Sequence, residues 1–139
     1  HSDHPFFDNT ILLYIISKTY SRNLIYSILV VCCLDGKSQP VSMEVVAVGM
    51  VNQCLVGMRE VFKNAILSNA VSIIVFHNHP SGDSRPSSSD LDISEKLRKA
   101  GELLDIEVLD HIVLGDEEFH SIANILEWES WKDTESKIA

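Results

Sequence analysis

The sequence predicts a single mixed domain, α/β in composition and of α+β type, in which a hairpin-connected sheet is flanked by three or four helices. Three observations predict it. Residues 26–34 form an apolar, β-branched run that stops at Asp35-Gly36-Lys37 and resumes over residues 41–48, the pattern of two strands joined by a tight turn. Residues 59–67 and the segment opened by Ser87 carry apolar residues at helical spacing. Between them Val71-Ser72-Ile73-Ile74-Val75-Phe76 reads as a buried strand that ends in His77-Asn78-His79-Pro80 and a Gly/Pro/Ser loop.

Each element has its own warrant. Residues 1–7 read as a tag or linker, residues 8–132 as one domain, and residues 133–139 as a polar tail that frays. Asp8-Asn9-Thr10 caps a helix that carries Ile11, Leu12, Ile15 and Ile16 to about Tyr20. After the hairpin, residues 50–55 read as a third strand, broken by Gly57. The helix over residues 59–67 places Val61, Phe62, Ala65 and Ile66 on one stripe. Ser87 opens the next helix, with Leu91, Ile93, Leu97 and Leu104 on its apolar face and Gly101 as a weak point or early cap. Residues 106–114 form a further strand. Gly115-Asp116-Glu117 turns it into a short strand near residues 119–122, and a final amphipathic helix carries Ile125, Leu126, Trp128 and Trp131. No internal repeat or low-complexity segment interrupts this order.

At 139 residues the chain is long enough for one real core and too short for two. A formal net charge of -9 gives the domain no general attraction for nucleic acid or anionic membrane. Lys63, Lys96, Arg98 and Lys99 are scattered among acids, as on a solvated helix face. The three cysteines, Cys32, Cys33 and Cys54, are an odd set without a disulfide framework and sit in apolar runs. They read as small buried hydrophobes, reduced in a cytoplasmic protein. Cys32 and Cys33 are neighbours on a strand and point to opposite faces, so they do not chelate one ion. No apolar stretch is long enough to span a bilayer, and no signal peptide is visible.

The chemistry concentrates at residues 77–90. Strand alternation puts His77 and His79 on the same side, and the loop returns the chain to Asp90 at a helix start. Two imidazoles and a carboxylate with an open fourth position are the ligand set of a catalytic zinc. The open position admits water, whose pKa the metal lowers toward neutrality. A second explanation competes for Asp90: Ser87-Ser88-Ser89-Asp90 has the form of a capping box, and the helix dipole favours an acid in any first turn. His111, in Leu109-Asp110-His111, reads as a satisfied structural group on a sheet or as a support for the site. His1, His4 and His120 read as surface residues.

The pattern His77-x-His79-Pro80 followed by Ser87-x-x-Asp90 resembles the JAMM (MPN-plus, JAB1-type) metalloprotease motif. Arg59-Glu60-Val61-Phe62-Lys63, Ala65-Ile66-Leu67, Asn69-Ala70, His77 to Asp83, Pro86-Ser87 and Leu109-Asp110-His111 resemble its RadC-like branch. The similarity covers roughly residues 24 to 122. It implies a JAMM, cytidine-deaminase-like fold, a curved β-sheet with flanking helices. It also implies that His77, His79 and Asp90 hold Zn2+ and that Ser87 steadies the oxyanion or the metal's water. RadC-like chains often carry an amino-terminal helix-hairpin-helix segment, which this sequence lacks.

One part of the motif is absent. A hydrolase of this kind needs a carboxylate to carry a proton from water to the leaving group. JAMM enzymes place that glutamate on or before an early strand, and alignment on Leu34-Asp35 puts the position near Ser27. Glu60 is the first substitute as general base and Glu44 the second, and both stand against a site that binds metal but hydrolyses poorly. The leading expectation is a zinc-dependent hydrolase of amide or isopeptide bonds with a peptide or protein substrate. The alternatives are a weakly active or non-enzymatic accessory domain associated with DNA repair or mobile elements, and a metal-dependent nuclease with Arg85 as its local cation. Direct nucleic-acid binding is opposed by the charge. A homodimer would use a sheet edge or the Trp128/Trp131 helix.

Overall fold

A computed structural model describes residues 26–50, 57–116 and 118–130, with side chains from Ser27 to Val46 in the first of these stretches. In chain order they form β1 (Tyr26–Leu34), β2 (Pro40–Met50), α1 (Met58–Leu67), β3 (Ser72–Asn78), α2 (Ser88–Leu104), β4 (Glu107–Leu114), β5 (Phe119–Ser121) and α3 (Ile122–Ile125). The five strands make one sheet in the order β2-β1-β3-β4-β5. All neighbours are antiparallel except β3 and β4. A parallel pair needs a crossover, and α2 supplies it. The α+β expectation holds.

β1 is apolar from Ile28 to Leu34 because both of its faces are covered. Leu29, Val31 and Cys33 enter one core with Ile73, Val75 and Val108, against Val61, Phe62 and Ala65 of α1 and Leu97 of α2. Ile28, Val30, Cys32 and Leu34 enter a second core with Ile74, Phe76, Ile112 and Leu114. Cys32 and Cys33 are therefore buried on opposite faces, and both are free thiols. Burial pushes the Cys32 thiol up to about 11 and raises that of Cys33. The hairpin turn is built by Asp35, whose Oδ1 accepts the N–H groups of Lys37 at 2.8 Å and Gln39 at 3.0 Å.

α2 differs from its expected amphipathic form. Its buried residues are Asp90, Ser94, Leu97 and Gly101, a helical stripe whose first half is polar. Leu104, expected on the apolar face, is 45% exposed, and Ile66 of α1 is 56% exposed. Gly101 is not a cap. A Cβ there would collide with the Ile106 carbonyl and lie 3.1 Å from Val108 Cγ2, so glycine is what lets α2 lie close on the chain entering β4. The helix ends at Asp105, in the left-handed region with φ 58.

β3 runs two residues further than expected and takes in His77 and Asn78. The last helix is shorter than expected. It is one turn, Ile122–Ile125, capped by the Ser121 hydroxyl, which accepts the Asn124 N–H at 3.1 Å. Trp128 lies beyond it, with its indole N–H 3.3 Å from Glu95 Oε1 and the Arg98 guanidinium over its ring. Tertiary contact sets this geometry: buried Asp110 accepts the Ala123 N–H at 3.0 Å and the Ser121 hydroxyl at 2.6 Å, pinning α3 to β4. The expected helix over residues 8–20, the third strand (of which Met50 ends β2), Cys54 and Trp131 lie outside the described residues. Among the described residues no helix is long and apolar enough to cross a membrane.

Candidate metal centre

The site forms where β3 ends and α2 begins. His77 follows Ile73 and Val75 on the face that receives α2, and His79 continues the two-residue period just past the strand. Asn78 points the other way and fastens the strand end. Its Oδ1 accepts the Ile28 N–H at 2.6 Å, and its carbonyl accepts the Ser27 hydroxyl at 3.2 Å. The loop is then folded back on itself. The His79 N–H donates to the Leu114 carbonyl, the Gly82 N–H to the His79 carbonyl and the Asp116 N–H to the Gly82 carbonyl, each at 2.9 Å. Gly82 has φ 87, which glycine tolerates without strain. Ser84, fully buried, pairs with His120 Nδ1 at 2.7 Å. His120 is thus a half-buried loop anchor, not the surface residue expected.

Ser87 is the N-cap of α2, and the capping box is present. Its Oγ accepts the Asp90 N–H at 3.1 Å, and its own N–H donates to Asp90 Oδ2 at 2.8 Å. The same carboxylate meets both histidines. Asp90 Oδ1 is 3.3 Å from His77 Nε2, and Oδ2 is 2.9 Å from His79 Nε2. One ligand atom from each of the three residues lies within 4.8 Å of the others. Capping and ligation therefore do not compete: one oxygen serves the backbone while both face the imidazoles.

Proton counting tests whether these residues fit a cation. His79 Nδ1 is 2.8 Å from the Asp83 carbonyl, which only accepts, so Nδ1 carries the hydrogen. In a neutral ring Nε2 is then a lone pair, and it faces a carboxylate oxygen. Two acceptors at that distance need a proton or a metal ion between them. The pairing with Asp90 accordingly raises the His79 pKa above its ordinary value, against the opposing effect of burial. Burial pushes the Asp90 carboxyl up, but the hydrogen bonds of His77, His79 and the Ser87 N–H together outweigh it and hold it well below the usual carboxylate range.

Behind His77 stands a residue only partly foreseen and another not foreseen at all. His111, 1% exposed, places Nε2 at 2.7 Å from His77 Nδ1. Its own Nδ1 is 2.5 Å from the hydroxyl of Ser94. Burial, then the neighbouring charge of His77, pushes the His111 pKa down to about 3. The signal for Ser94 was its place one turn after Asp90 on an otherwise apolar stripe.

The other candidates sit apart from this cluster. Glu60 is exposed in the first turn of α1, its carboxylate folded back against Gly57, and it lines a groove with Met58, Phe62, Ile66 and Leu104. Glu44 is exposed on β2 and accepts from the Asn64 amide. Arg85 pairs with Asp83 at 2.7 Å, which holds the Asp83 carboxyl down to about 2.

Comparison with known proteins agrees with this geometry. The RadC-like JAB domain family matches residues 10–127. A UPF0758 protein of Methanosarcina barkeri is 47% identical over 90 residues, which are 65% of this chain and 39% of that protein. UPF0758 proteins of Geotalea uraniireducens and Roseiflexus castenholzii are 47% and 49% identical over 91 and 90 residues, covering 66% and 65% of this chain. The chain spans only 39% to 40% of the length of these relatives. A mixed sheet with a His-His-Asp group able to hold a metal ion, together with a family match across most of the sequence, makes this chain a member of the RadC-like JAB domain family.

Proposed function

We propose that the domain is a zinc-dependent hydrolase of amide or isopeptide bonds, acting on a peptide or protein. The observation that carries this reading is the convergence of two imidazole Nε2 atoms on the Asp90 carboxylate, with the His79 tautomer set by the Asp83 carbonyl. Two imidazoles and one carboxylate suit zinc better than the hard cations, which prefer all-oxygen sites. Bound there, zinc supplies Lewis acidity toward a carbonyl and a water of lowered pKa.

The chain's own residues do the remaining work. His77, His79 and Asp90 hold the ion, and the capping box fixes the Asp90 rotamer. The Ser87 Oγ accepts from the Asp90 N–H, so its own hydrogen is available to an oxyanion developing on the substrate. Glu60, the first substitute for the general base, stands in the exposed first turn of α1 apart from the three ligands, so its base role rests on the sequence expectation and not on this geometry.

A second reading, an accessory domain with weak or no hydrolysis and an association with DNA repair or mobile elements, is favoured by one observation. Ser27, near the position where the resembling JAMM enzymes carry their glutamate, is buried and donates to the Asn78 carbonyl. A hydroxyl so engaged does not shuttle a proton. The nuclease reading has less support, since Arg85 is already neutralised by Asp83.

The test is elemental analysis of the purified protein beside Asp90→Ala, followed by assays on peptide and isopeptide-linked fluorogenic substrates with and without chelator. The expected result is about one zinc per chain, lost in the variant, and hydrolysis that stops on chelation. Undiminished hydrolysis by metal-free protein overturns the proposal. Zinc binding without hydrolysis of any substrate favours the accessory reading.

A further inference from the structure

We propose that Ser94 and His111 are positioning residues that lock His77 in the tautomer carrying hydrogen on Nδ1, so that its Nε2 lone pair is presented to the metal. The inference rests on the metal reading above and extends it to two residues outside the ligand set.

The argument is a count of hydrogens along one chain of contacts. It starts at the Asp90 carbonyl, which can only accept. The Ser94 hydroxyl lies 2.7 Å from it and therefore spends its single hydrogen there. The Ser94 oxygen is then an acceptor for its other neighbour, His111 Nδ1, so the hydrogen of that contact belongs to the ring. A neutral imidazole has one N–H, which leaves His111 Nε2 as a lone pair. That lone pair faces His77 Nδ1 at 2.7 Å, and the contact is a hydrogen bond only if His77 donates. His77 Nε2 is thereby left bare on the side of Asp90 Oδ1. The reverse arrangement would put a hydrogen on His77 Nε2, directed into the metal position.

The two histidines thus reach the same state by different means. His79 is held by a backbone carbonyl, which has no alternative protonation state. His77 is held by a second histidine, which could donate as easily as accept. Ser94 removes that freedom, because its hydrogen is committed to the helix backbone. The polar half of the α2 stripe is explained by this: Asp90 and Ser94 are buried one turn apart because one holds the ion and the other sets the proton pattern behind it. Ordering ligand imidazoles from behind is a general property of metal sites and is worth about 10- to 100-fold in affinity.

The experiment uses long-range proton–nitrogen NMR correlation of the imidazoles in metal-free protein at about pH 9, above the histidine range. Alongside it, zinc affinity is measured by competition with a chromophoric chelator, for wild type and Ser94→Ala. The expected result is a His77 ring with hydrogen on Nδ1 in wild type, a mixed tautomer in Ser94→Ala, and zinc affinity reduced about 10- to 100-fold. A wild-type His77 carrying its hydrogen on Nε2 overturns the proposal, with no variant needed. So does a folded Ser94→Ala that keeps both the tautomer and the affinity. The spectra are read without metal, so a wild type that shows the lock and binds no zinc defeats the metal reading and leaves the proton assignment standing.

Discussion

Asp90 is asked to do two things, and a pair of substitutions separates them. Ser87→Ala removes the hydroxyl that accepts the Asp90 N–H at 3.1 Å but leaves the Ser87 N–H on Asp90 Oδ2 at 2.8 Å. Half of the capping box is lost, which costs about 1 kcal/mol of stability. The three ligand side chains are untouched. Zinc at 100 times its dissociation constant adds about 2.7 kcal/mol to a protein that binds it only when folded. Ser87→Ala should keep that increment while starting about 1 kcal/mol lower. Asp90→Ala should lose the cap's other half and nearly all of the increment, because a 100-fold weaker site at the same zinc concentration returns only about 0.4 kcal/mol. Urea denaturation of the three proteins, each with and without zinc, measures both quantities from the shift in midpoint at constant m-value. If zinc stabilises Asp90→Ala as much as wild type, the carboxylate is a helix cap and nothing more. If Ser87→Ala loses the whole increment, the capping geometry and the metal site are one unit and Asp90 does not serve the two independently.

Three further outcomes follow from other parts of the molecule. His111 has a pKa of about 3 when folded against an ordinary 6.5, so its stabilising effect is complete above pH 6.5 and is lost as pH falls toward 3. Metal-free protein should therefore lose stability at up to about 1.4 kcal/mol per pH unit in that window, and His111→Gln should flatten the slope; equal slopes would remove the argument. The raised His79 pKa acts with the opposite sign, stabilising below 6.5 and fading as pH rises through the folded value, so the two effects occupy different windows. Gly115→Ala should destabilise by about 1–3 kcal/mol, since its Cβ would strike the Gly82 carbonyl and lie 2.8 Å from the Ser84 nitrogen. The same change should weaken zinc binding, because it displaces the loop whose Asp83 carbonyl orients His79; a calorimetric titration showing unchanged affinity would separate the loop from the site. Glu60→Gln should leave zinc content intact, since Glu60 lies outside the ligand cluster; a loss of hydrolysis of about 100-fold or more, the usual scale for a general base, assigns the role to it, and full activity assigns the base elsewhere.

The cluster able to hold a metal ion was legible in the sequence because its assembly depends on short-range rules. A two-residue period on a strand and a capping box on the following helix are local patterns, and together they delivered His77, His79, Asp90 and Ser87 to one place. The strand Tyr26–Leu34 was legible for the same reason, as a run that is apolar without a break from Ile28 to Leu34 between covered faces. What failed was long-range. Leu104 obeys the helical period and still lies half in solvent, because it is the last residue of α2 and the close approach to the chain entering β4 is made one turn earlier, at Gly101. The last helix is held at its start by Asp110, eleven residues before Ser121, and stops after one turn where Glu127 enters the left-handed region with φ 54 and the Trp128 N–H turns back to the Ala123 carbonyl. Ser94 and the His111–His77 contact join residues 17 and 34 apart, and no local period announces them.

Gly101 shows how such distance effects decide the sign of a local rule. A glycine inside a helix costs about 1 kcal/mol relative to alanine, so the sequence alone recommends Gly101→Ala as stabilising. The structure opposes it. The added Cβ would meet the Ile106 carbonyl, a backbone atom that cannot rotate away, and would sit 3.1 Å from Val108 Cγ2. Overpacking of a buried position costs about 1–3 kcal/mol, which exceeds the propensity gain. The variant should therefore melt lower than wild type. Its effect should extend to zinc affinity, since Ser94 lies two turns earlier on the same buried stripe and meets His111 on β4, the strand that α2 would be pushed from. A Gly101→Ala protein that is more stable, with unchanged zinc affinity, would mean that α2 and β4 tolerate separation and that the Ser94–His111 contact is not set by their packing.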